Sequence, residues 1–280
     1  MSRLPDLSVE PRAALHASRP TGAGALLRAW RGKRRLSQLT LALDAGVSAR
    51  HLSFVENGRS RPSADLLGAL AEQLALPLRE RNKLFLAAGY APRFAETPLD
   101  APDMAGILAG LKRLLDAHDP YPGVAMDRHW NVVLTNRAAG ALVALLPPKL
   151  TTPALNIFRA SLHPEGFAAI TENFGEWGRH LLDELTQFAA TSLDGSAAAL
   201  LEEVRAYPNV QALLAEPRPG GDVPHQLLIP CTLRLPHTRL SMFTTLATFG
   251  SARDVTLAEL KVELFYPADA ASAAALGARG

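Results

Sequence analysis

The segment from Gln38 to Val55, QLTLALDAGVSARHLSFV, constrains the fold more than any other part of the chain. Two short helices that cross steeply need a small residue where they approach, which Ala42 supplies, and a turn residue with positive φ, which Gly46 supplies. Apolar residues recur at helical spacing at Leu41, Val47, Leu52 and Val55. The pattern predicts a helix-turn-helix, although an ordinary helical hairpin would bury the same residues.

Helix-boundary residues flank the second helix of this motif. Ser48 is a good N-cap for it, Gly58 is placed to end it, and Ser63 is placed to cap a further helix. That further helix is amphipathic, with apolar residues at Leu66, Leu67, Leu70 and Leu74. The boundaries favour the helix-turn-helix over the hairpin.

The charges of the chain are distributed unevenly. Residues 1–95 hold 15 Lys and Arg against 7 Asp and Glu, whereas the remaining residues hold 14 against 20. The densest basic stretch is Arg28, Arg31, Lys33, Arg34 and Arg35. A basic first third suggests that this part alone meets a polyanion, although a solvated helix face would have the same composition.

Composition also divides the chain into segments. Residues 1–21 have no periodicity and are predicted to be a flexible tail, and helical signals fill 22–93. A proline-rich polar stretch at 94–103 is expected to be a linker to a second domain at 104–269. The last residues, 270–280, are rich in Ala and Gly and are expected to form a second flexible tail.

The second domain mixes helix and strand signals. The short apolar runs Gly123–Met126 and Trp130–Thr135 predict a hairpin, and a second hairpin is expected to turn at Pro236-His237-Thr238. Helices are predicted at 104–117, after Asn136, at 171–190 and at 196–206, and further strands at Gln226–Leu235, Leu240–Phe249 and Leu260–Tyr266. This succession predicts an α+β domain on an antiparallel sheet.

Several classes of protein are not indicated. There is no apolar stretch of membrane-spanning length and no secretory signal, and the single cysteine, Cys231, is typical of a reducing cytoplasm. No nucleophile elbow, phosphate loop or dinucleotide motif is present, and the histidines are scattered. We therefore expect neither an enzyme, nor a metal site, nor a cofactor.

Longer blocks resemble a known family. GRSRPSADLLGALAEQLALPLRERNKLFLAAGYAP resembles the C-terminal half of the Xre/Cro-like DNA-binding domain, in the variant of MmyB-like regulators. DPYPGVAMDRHWNVVLTNRAA, NIFRASLHPEGF, ENFGEWGRHLLDEL and ATFGSARDVTLAELKVELFYPAD are similar to the MmyB-like ligand-binding domain. The resemblance implies a bacterial transcription regulator with an all-α, lambda-repressor-like domain and a PAS-like domain that binds a small apolar or fatty-acid-like ligand.

The second helix of the motif is expected to enter the major groove of double-stranded operator DNA. Ala49, Arg50 and Ser53 are the predicted base-reading residues, and Arg50 could bond guanine O6 and N7 with both arms. His51 could reach DNA, but we favour a backbone or structural role. Phe54 stands where related repressors often carry a polar reader, so a core or thymine-methyl contact is favoured.

Contacts to the DNA backbone are predicted for polar residues around the same helix. For the arginines among them, the alternative is a solvated surface charge. Because one such helix reads only a few base pairs, we expect a homodimer on a two-fold operator. The predicted backbone contacts are Gln38, Ser48, Asn57, Arg59 and Arg61.

Candidate ligand-binding residues come from the blocks that resemble the ligand-binding domain. The tryptophans among them could equally be core, the asparagines could be helix caps, and the histidine could make a structural hydrogen bond. Two alternatives to the regulator remain open, an interaction protein that does not bind DNA and an enzyme on the PAS-like domain. The candidates are Tyr121, Trp130, Asn136, His163, Asn173, Trp177 and Phe249.

Overall fold

The computed structural model describes residues 22–191, 195–217 and 227–277. The chain divides between Arg93 and Phe94 into two compact units, which we call the N-terminal and C-terminal domains. The predicted tail at 1–21 lies outside the described residues. In the part of the chain that is described, no helix is both long and apolar enough to cross a membrane.

Five helices form the described part of the N-terminal domain. Their amphipathic faces share one core, in which Leu27, Leu52, Leu67 and Phe85 are buried. Helices this short are marginal alone, whereas a buried Leu or Phe contributes about 1.5–3 kcal/mol, so the shared core stabilises all five. The helices are α1 Ala23–Lys33, α2 Gln38–Asp44, α3 Ala49–Glu56, α4 Ala64–Gln73 and α5 Leu78–Ala87.

The predicted boundary residues of this domain are confirmed. The hydroxyls of Ser37, Ser48 and Ser63 accept backbone N–H groups three residues further on, at 3.0, 3.1 and 3.2 Å, and so begin α2, α3 and α4. Gly46 and Gly58 have φ of 69° and 70°, which glycine adopts without strain. The two glycines therefore fix the turn before α3 and the end of α3.

The C-terminal domain is an α+β structure. Its strands are β1 Gly123–Met126, β2 Val132–Thr135, β3 Cys231–Leu235, β4 Thr238–Thr248 and β5 Lys261–Pro267. A short 3₁₀ helix lies at Phe167–Ile170. Its α-helices are α6 Pro102–Ala117, α7 Arg137–Val143, α8 Pro148–Thr151, α9 Ile157–Leu162, α10 Phe174–Thr191, α11 Gly195–Arg205, α12 Pro208–Ala215, α13 Val255–Glu259 and α14 Ala270–Gly277.

The five strands form one antiparallel sheet in the order β2-β1-β5-β4-β3. Both predicted hairpins are present, as β1–β2 and β3–β4. The expectation of a PAS-like α+β domain with an antiparallel sheet is therefore confirmed.

The two faces of the sheet pack against different helices, because side chains alternate along a strand. On one face, Val262 packs in a small cluster with Leu111 and Leu115 of α6. On the other face, Met126 of β1 and Met242 of β4 join the main core, which α10 and α11 cover. The second face is the one that borders the cavity described below.

Two strands begin later than the sequence pattern predicts. Trp130 was expected to open a strand, but it has φ of 65° in the turn, and β2 begins at Val132. The strand expected from Gln226 begins at Cys231, directly after Pro230, which has no N–H for a ladder hydrogen bond. Gln226 itself lies outside the described residues.

Residues 270–277 differ from the expected flexible tail, and residues 278–280 of that tail lie outside the described residues. Residues 270–277 form α14, in which Leu276 is 5% exposed and Ser272 1%. The Ser272 hydroxyl accepts the backbone N–H of Ser241 at 2.8 Å, and Asp269 accepts that of Ser272 at 2.7 Å. An alanine-rich segment without an evident apolar stripe is thus held by one leucine and two hydrogen-bonded side chains.

The expected linker at 94–103 is also more structured than predicted. Ala95 forms a β-bridge with Asp254, and the backbone N–H and hydroxyl of Thr97 donate to the Asp254 carboxylate at 3.0 and 2.7 Å. Helix α6 already begins at Pro102. Most of this segment therefore belongs to the C-terminal domain.

Candidate DNA-reading surface and ligand cavity

The turn between α2 and α3 is tight. Ala42 is fully buried, and its carbonyl accepts the N–H of Val47 at 2.9 Å, so the chain turns back directly after α2. Leu52 and Val55 point inward from α3. The opposite side of α3 is left facing away from the domain core.

That outer side of α3 carries the three predicted base-reading residues. Arg50 is exposed, and Ala49 and Ser53 are half-buried. The Arg50 guanidinium lies over the Phe54 ring, 5.4 Å from its centroid. This cation–π contact holds the guanidinium along the helix face and gives Phe54 a role there. Half-buried His51 supplies the backbone N–H that Ser48 caps.

A buried carboxylate ties α3 to the first two helices. The Glu56 side chain is fully buried and accepts two hydrogen bonds from the Arg31 guanidinium, at 2.7 and 2.9 Å, and one from the Gln38 amide at 2.7 Å. Burial acts to raise the pKa of Glu56, but these bonds and the charges of Arg31 and Arg28 outweigh it, so the pKa is lowered. We call Glu56, Arg31 and Gln38 the Glu56 clamp.

Much of the basic run on α1 is occupied inside the domain. Arg31 belongs to the Glu56 clamp, and Arg28 bonds the Asn57 side chain and, at 3.3 Å, the Glu56 carbonyl. Arg34 donates to the carbonyls of Leu74 and Ala75 at 2.9 and 3.1 Å. These arginines therefore stabilise the domain, so the predicted positive surface depends more on residues around α3.

The predicted DNA-backbone residues fall into two groups. Gln38, Ser48 and Asn57 each make a hydrogen bond within the domain: Gln38 to Glu56, Ser48 as a cap, and Asn57 to the Ser53 carbonyl at 2.8 Å. Arg59 and Arg61 follow α3 and are exposed. Among the described residues the Arg59 side chain has no hydrogen bond or ion pair, whereas the Arg61 guanidinium packs on Tyr90 at 5.0 Å and reaches the Gly89 carbonyl at 3.4 Å.

The C-terminal domain contains a cavity of about 530 Å³ between the sheet and α10. Its wall is mainly apolar. It includes Trp177 and Leu181 from α10, Phe158 from α9, Met242 from β4 and Phe265 from β5. The volume lies in the range of small-molecule sites, roughly 300–1,000 Å³.

A few polar groups interrupt this apolar wall. Glu184 of α10 and Glu263 of β5 both line the cavity, as do His180 and Thr244. Burial and the charge of Glu184 raise the pKa of Glu263 to about 7, against the hydrogen bond from Thr244 and the charge of Lys261. Burial also raises the pKa of Cys231, another lining residue, to about 12, so its thiol stays protonated.

Lys261, whose charge acts on Glu263, lies over two aromatic rings. The Lys261 ammonium lies 3.4 Å from the centroid of the Trp130 ring and 4.7 Å from that of Phe188. Burial lowers the pKa of Lys261 to about 8, although the charge of Glu184 and of three other carboxylates acts in the opposite direction. Lys261 itself is not part of the cavity wall.

Two family models match the chain. Residues 27–81 match the helix-turn-helix family. Residues 107–278, more than half of the chain, match the MmyB-like transcription regulator ligand binding domain. The chain belongs to the MmyB-like transcription regulators. No curated protein gives a significant match to it.

In this MmyB-like regulator, the cavity gathers two of the seven predicted ligand-binding residues, Trp130 and Trp177. Asn136 is buried, caps α7 and donates to the Leu115 and Tyr121 carbonyls at 3.1 and 2.7 Å. Asn173 is bonded to β3, since it donates to the Pro230 carbonyl at 2.7 Å and accepts the Thr232 N–H at 3.0 Å.

The other three candidates also lie outside this wall. The His163 ring accepts the Glu165 N–H at 3.0 Å and meets Tyr207 edge-on at 4.9 Å. Tyr121 packs beside the main core, and Phe249 packs in the cluster on the opposite face of the sheet. The structure thus gives His163 the structural hydrogen bond that was one of its two interpretations.

Sequence reasoning missed the residues that give both sites their electrostatics. Glu56 follows Leu52 and Val55 at the spacing of the buried face, and Arg28 and Arg31 are one turn apart, so a buried ion pair could have been proposed. Glu184 and Glu263 carried no such signal. Only the pairing of β5 with β4 and the packing of α10 bring them to one wall.

The described residues contain no cluster of His, Cys, Asp and Glu that could hold a metal ion.

Proposed function

We propose that this MmyB-like regulator binds a two-fold operator as a homodimer and reads bases with Arg50, Ala49 and Ser53 of α3. The observation that carries the proposal is the outer side of α3, where Arg50 is exposed and lies over Phe54, while the Glu56 clamp fixes the inner side of the helix. A recognition helix must be rigid as well as exposed, because base contacts require defined geometry. In a bacterium, such a protein would act in the cytoplasm, where the DNA lies.

The two exposed arginines after α3 have a different task in this proposal. Arg59 and Arg61 contact phosphates, where they supply salt-dependent affinity without sequence preference. Gln38, Ser48 and Asn57 contact phosphates through the donor groups that their internal hydrogen bonds leave over. The Gln38 amide, for example, has two N–H bonds and donates to Glu56 with its nitrogen at 2.7 Å.

The cavity of the C-terminal domain is the proposed ligand site. Its apolar wall suits the chain of a fatty-acid-like amphiphile, and Trp130 and Trp177 offer large apolar surfaces. The proposed role is binding rather than catalysis. The ligand shifts operator affinity through its different affinity for two arrangements of the protein, since a ligand without such a difference would shift nothing.

Selection from random duplexes followed by affinity measurement tests the DNA-binding proposal. The intact chain is used to select an operator, and binding is then measured for Arg50→Ala and Arg59→Ala on the operator and on unrelated DNA. Arg50→Ala should cost about 1–3 kcal/mol on the operator alone and relax one position of the selected sequence. Arg59→Ala should weaken both DNAs alike and reduce the salt slope by about 1.

Three outcomes decide between the proposal and its alternatives. Equal losses on both DNAs for both variants would refute the division between base and phosphate contacts. If the selection enriches no DNA sequence and no salt-dependent binding to DNA is measured, the chain is an interaction protein that does not bind DNA. Turnover of a molecule bound in the cavity would favour an enzyme instead.

A further inference from the structure

The cavity wall has a defined polar side. Glu184 projects from α10 and Glu263 from β5, so two carboxylates of different elements face the same space. Leu181 lies one turn before Glu184 on α10, and Phe265 lies two residues beyond Glu263 on the same face of β5. A ligand that fills the cavity is therefore surrounded mainly by apolar side chains and meets the carboxylates of Glu184 and Glu263 on the polar side.

No cation of the described residues balances these carboxylates inside the cavity. Neither Lys nor Arg is part of its described wall. Lys261 interacts with both glutamates, but its ammonium is placed over the Trp130 and Phe188 rings. The Glu184 side chain makes no hydrogen bond or ion pair with the described residues, and the Glu263 side chain accepts a hydrogen bond from Thr244. One ammonium group outside the wall therefore acts on two carboxylates, and the wall keeps acceptor oxygens that no Lys or Arg of the described wall meets.

A free carboxylate is the wrong polar end for such a wall. It would be brought beside two acidic groups in a poorly hydrated space, where like charges repel more strongly than in water. A protonated amine has the opposite sign and three N–H donors, and it can pair with both glutamates. The apolar wall would still take the chain of the ligand.

We infer that the ligand of this cavity is a cationic amphiphile, an apolar body with a protonated amine that pairs with Glu184 and Glu263. The inference rests on the proposed function, in which this cavity is the ligand site, and it changes the polar end of the proposed ligand. The raised pKa of Glu263 agrees with it, because burial and the charge of Glu184 disfavour ionisation of Glu263 more than the charge of Lys261 favours it.

Three probes of equal chain length differ only in their polar end: decylamine, decanol and decanoate. Each is used below the concentration at which it forms micelles or separates from water. Binding to the intact protein is followed by calorimetry and by tryptophan fluorescence, since Trp130 and Trp177 line the cavity. The amine should bind at least about tenfold more tightly than the alcohol, because close charge pairs contribute about 1.5 kcal/mol or more. Decanoate should bind least well.

Isosteric variants assign the effect to the two carboxylates. Glu184→Gln and Glu263→Gln should each reduce the affinity for decylamine by about tenfold and leave that for decanol unchanged. Glu176→Gln is the matched control, because Glu176 lies on α10 but outside the cavity wall. Unchanged decanol binding also shows that the variants are folded.

The pH dependence gives an independent readout. Glu184 and His180 from α10, Thr244 from β4 and Lys261 from β5 face Glu263, and Asp127 and Glu259 act on Lys261. The amine stays protonated like a lysine. Its affinity should therefore fall as the pH is lowered through about 7, where Glu263 takes up a proton. Glu263→Gln should remove that fall.

The outcomes distinguish this inference from the function on which it rests. Tighter binding of decanoate than of decylamine, or glutamine variants that bind the amine normally, would overturn the amine inference and keep the cavity as a ligand site. Equal affinity for decylamine and decanol would also overturn the amine inference and keep the cavity as a ligand site. If none of the three probes binds, the cavity is not the ligand site, and both proposals fail.

Discussion

At the scale of single residues, Glu56 connects the stability of the N-terminal domain to its predicted DNA-binding surface. Its carboxylate is buried and bonded to side chains of α1 and α2, while the same helix carries Arg50 on its outer side. Losing a buried charge partner leaves the other charge uncompensated. The position of α3 therefore depends in part on a buried ion pair, Glu56 with Arg31, that is not among the proposed DNA contacts.

Replacing Glu56 by Gln should lower the free energy of unfolding of the N-terminal domain by about 3 kcal/mol, because Arg31 then loses its charge partner. Amide hydrogen exchange in α1, α2 and α3 of the intact protein measures this change. Lys112→Gln in the C-terminal domain, which removes an exposed pair with Asp116, is the control and should change little. Equal protection in wild type and Glu56→Gln would show that the clamp does not stabilise the domain.

Acid should remove the same contribution from the wild type. The folded-state pKa of Glu56 is lowered from 4.5, so its stabilising effect is complete above the unfolded-state pKa and is lost as the pH falls through the lower folded value. The difference in exchange between wild type and Glu56→Gln should therefore shrink below about pH 4. A difference that stayed constant into stronger acid would contradict the lowered pKa.

The sequence predicted the roles of side chains with partners nearby in sequence better than the roles of side chains with distant partners. Ser48, Ser63 and Asn136 were expected to cap helices, and they do, because a cap depends only on residues two or three positions away. A helix cap was one of two interpretations of Asn173, but its side-chain amide bonds Pro230 and Thr232, some sixty positions further along the chain. Such a partner can be identified only once the sheet is known.

At the scale of elements, α1 and α3 approach so closely at Gly24 that no Cβ atom fits between them. A Cβ on Gly24 would lie 2.3 Å from the Val55 carbonyl oxygen and 2.7 Å from that of Glu56. The two helices therefore approach as closely as their backbones permit. This approach brings Arg28 and Arg31 within reach of the end of α3.

Gly24→Ala should separate α1 from α3 and destabilise the N-terminal domain by about 1–3 kcal/mol or more, as overpacking does. Gly32→Ala is the matched control in the same helix, since a Cβ there meets nothing within 4 Å. That variant should stabilise the helix by about 0.5–1 kcal/mol. Hydrogen exchange across α1 and α3 reports both, and similar effects of the two substitutions would contradict the close approach.

The sequence patterns did not predict helices α8, α9, α12, α13 and α14, and α14 shows one reason. Ala270–Gly277 has a composition typical of a tail, yet Leu276 reaches the main core of the C-terminal domain. By contrast, α10 has several apolar residues per turn, and the sequence predicted it at 171–190. An element anchored by one leucine gives no periodicity to recognise.

Leu276→Ala should lower the free energy of unfolding of the C-terminal domain by about 2–5 kcal/mol, the usual cost of a core leucine. Leu214→Ala on α12 is the control, because that side chain is 49% exposed. Chemical denaturation followed by tryptophan fluorescence of the intact protein compares the two. If both variants lost equally little, residues 270–277 would be the tail that their composition suggests.

At the scale of the whole molecule, this MmyB-like regulator combines a helix-turn-helix with a ligand-binding domain, and each has its own hydrophobic core. The overall division was predictable because each domain has its own pattern of helices or strands and its own charge balance. The cavity wall was not, because its residues come from α10, β4, β5 and other elements far apart in sequence. Five of the seven predicted ligand residues lie outside it for this reason.

The two functions should be coupled in the intact protein. Small molecules that remain bound through native purification are identified by mass spectrometry, and the recovered compound is titrated against the complex with the selected operator. Operator affinity should change by about fivefold to 150-fold, the usual range of allosteric coupling. Operator affinity that is unchanged at saturating ligand would separate sensing from DNA binding.

The central claim, that the N-terminal end of α3 lies at the bases in a DNA groove, can be tested by local cleavage. An iron chelate that cleaves nearby DNA is attached to the Ala49→Cys variant of the intact chain, whose own Cys231 is buried. On the selected operator we predict two clusters of cuts in the major groove, about one helical turn apart. The same chelate on Asp65→Cys of α4 should cut weakly; equal or scattered cutting by the two would contradict the claim.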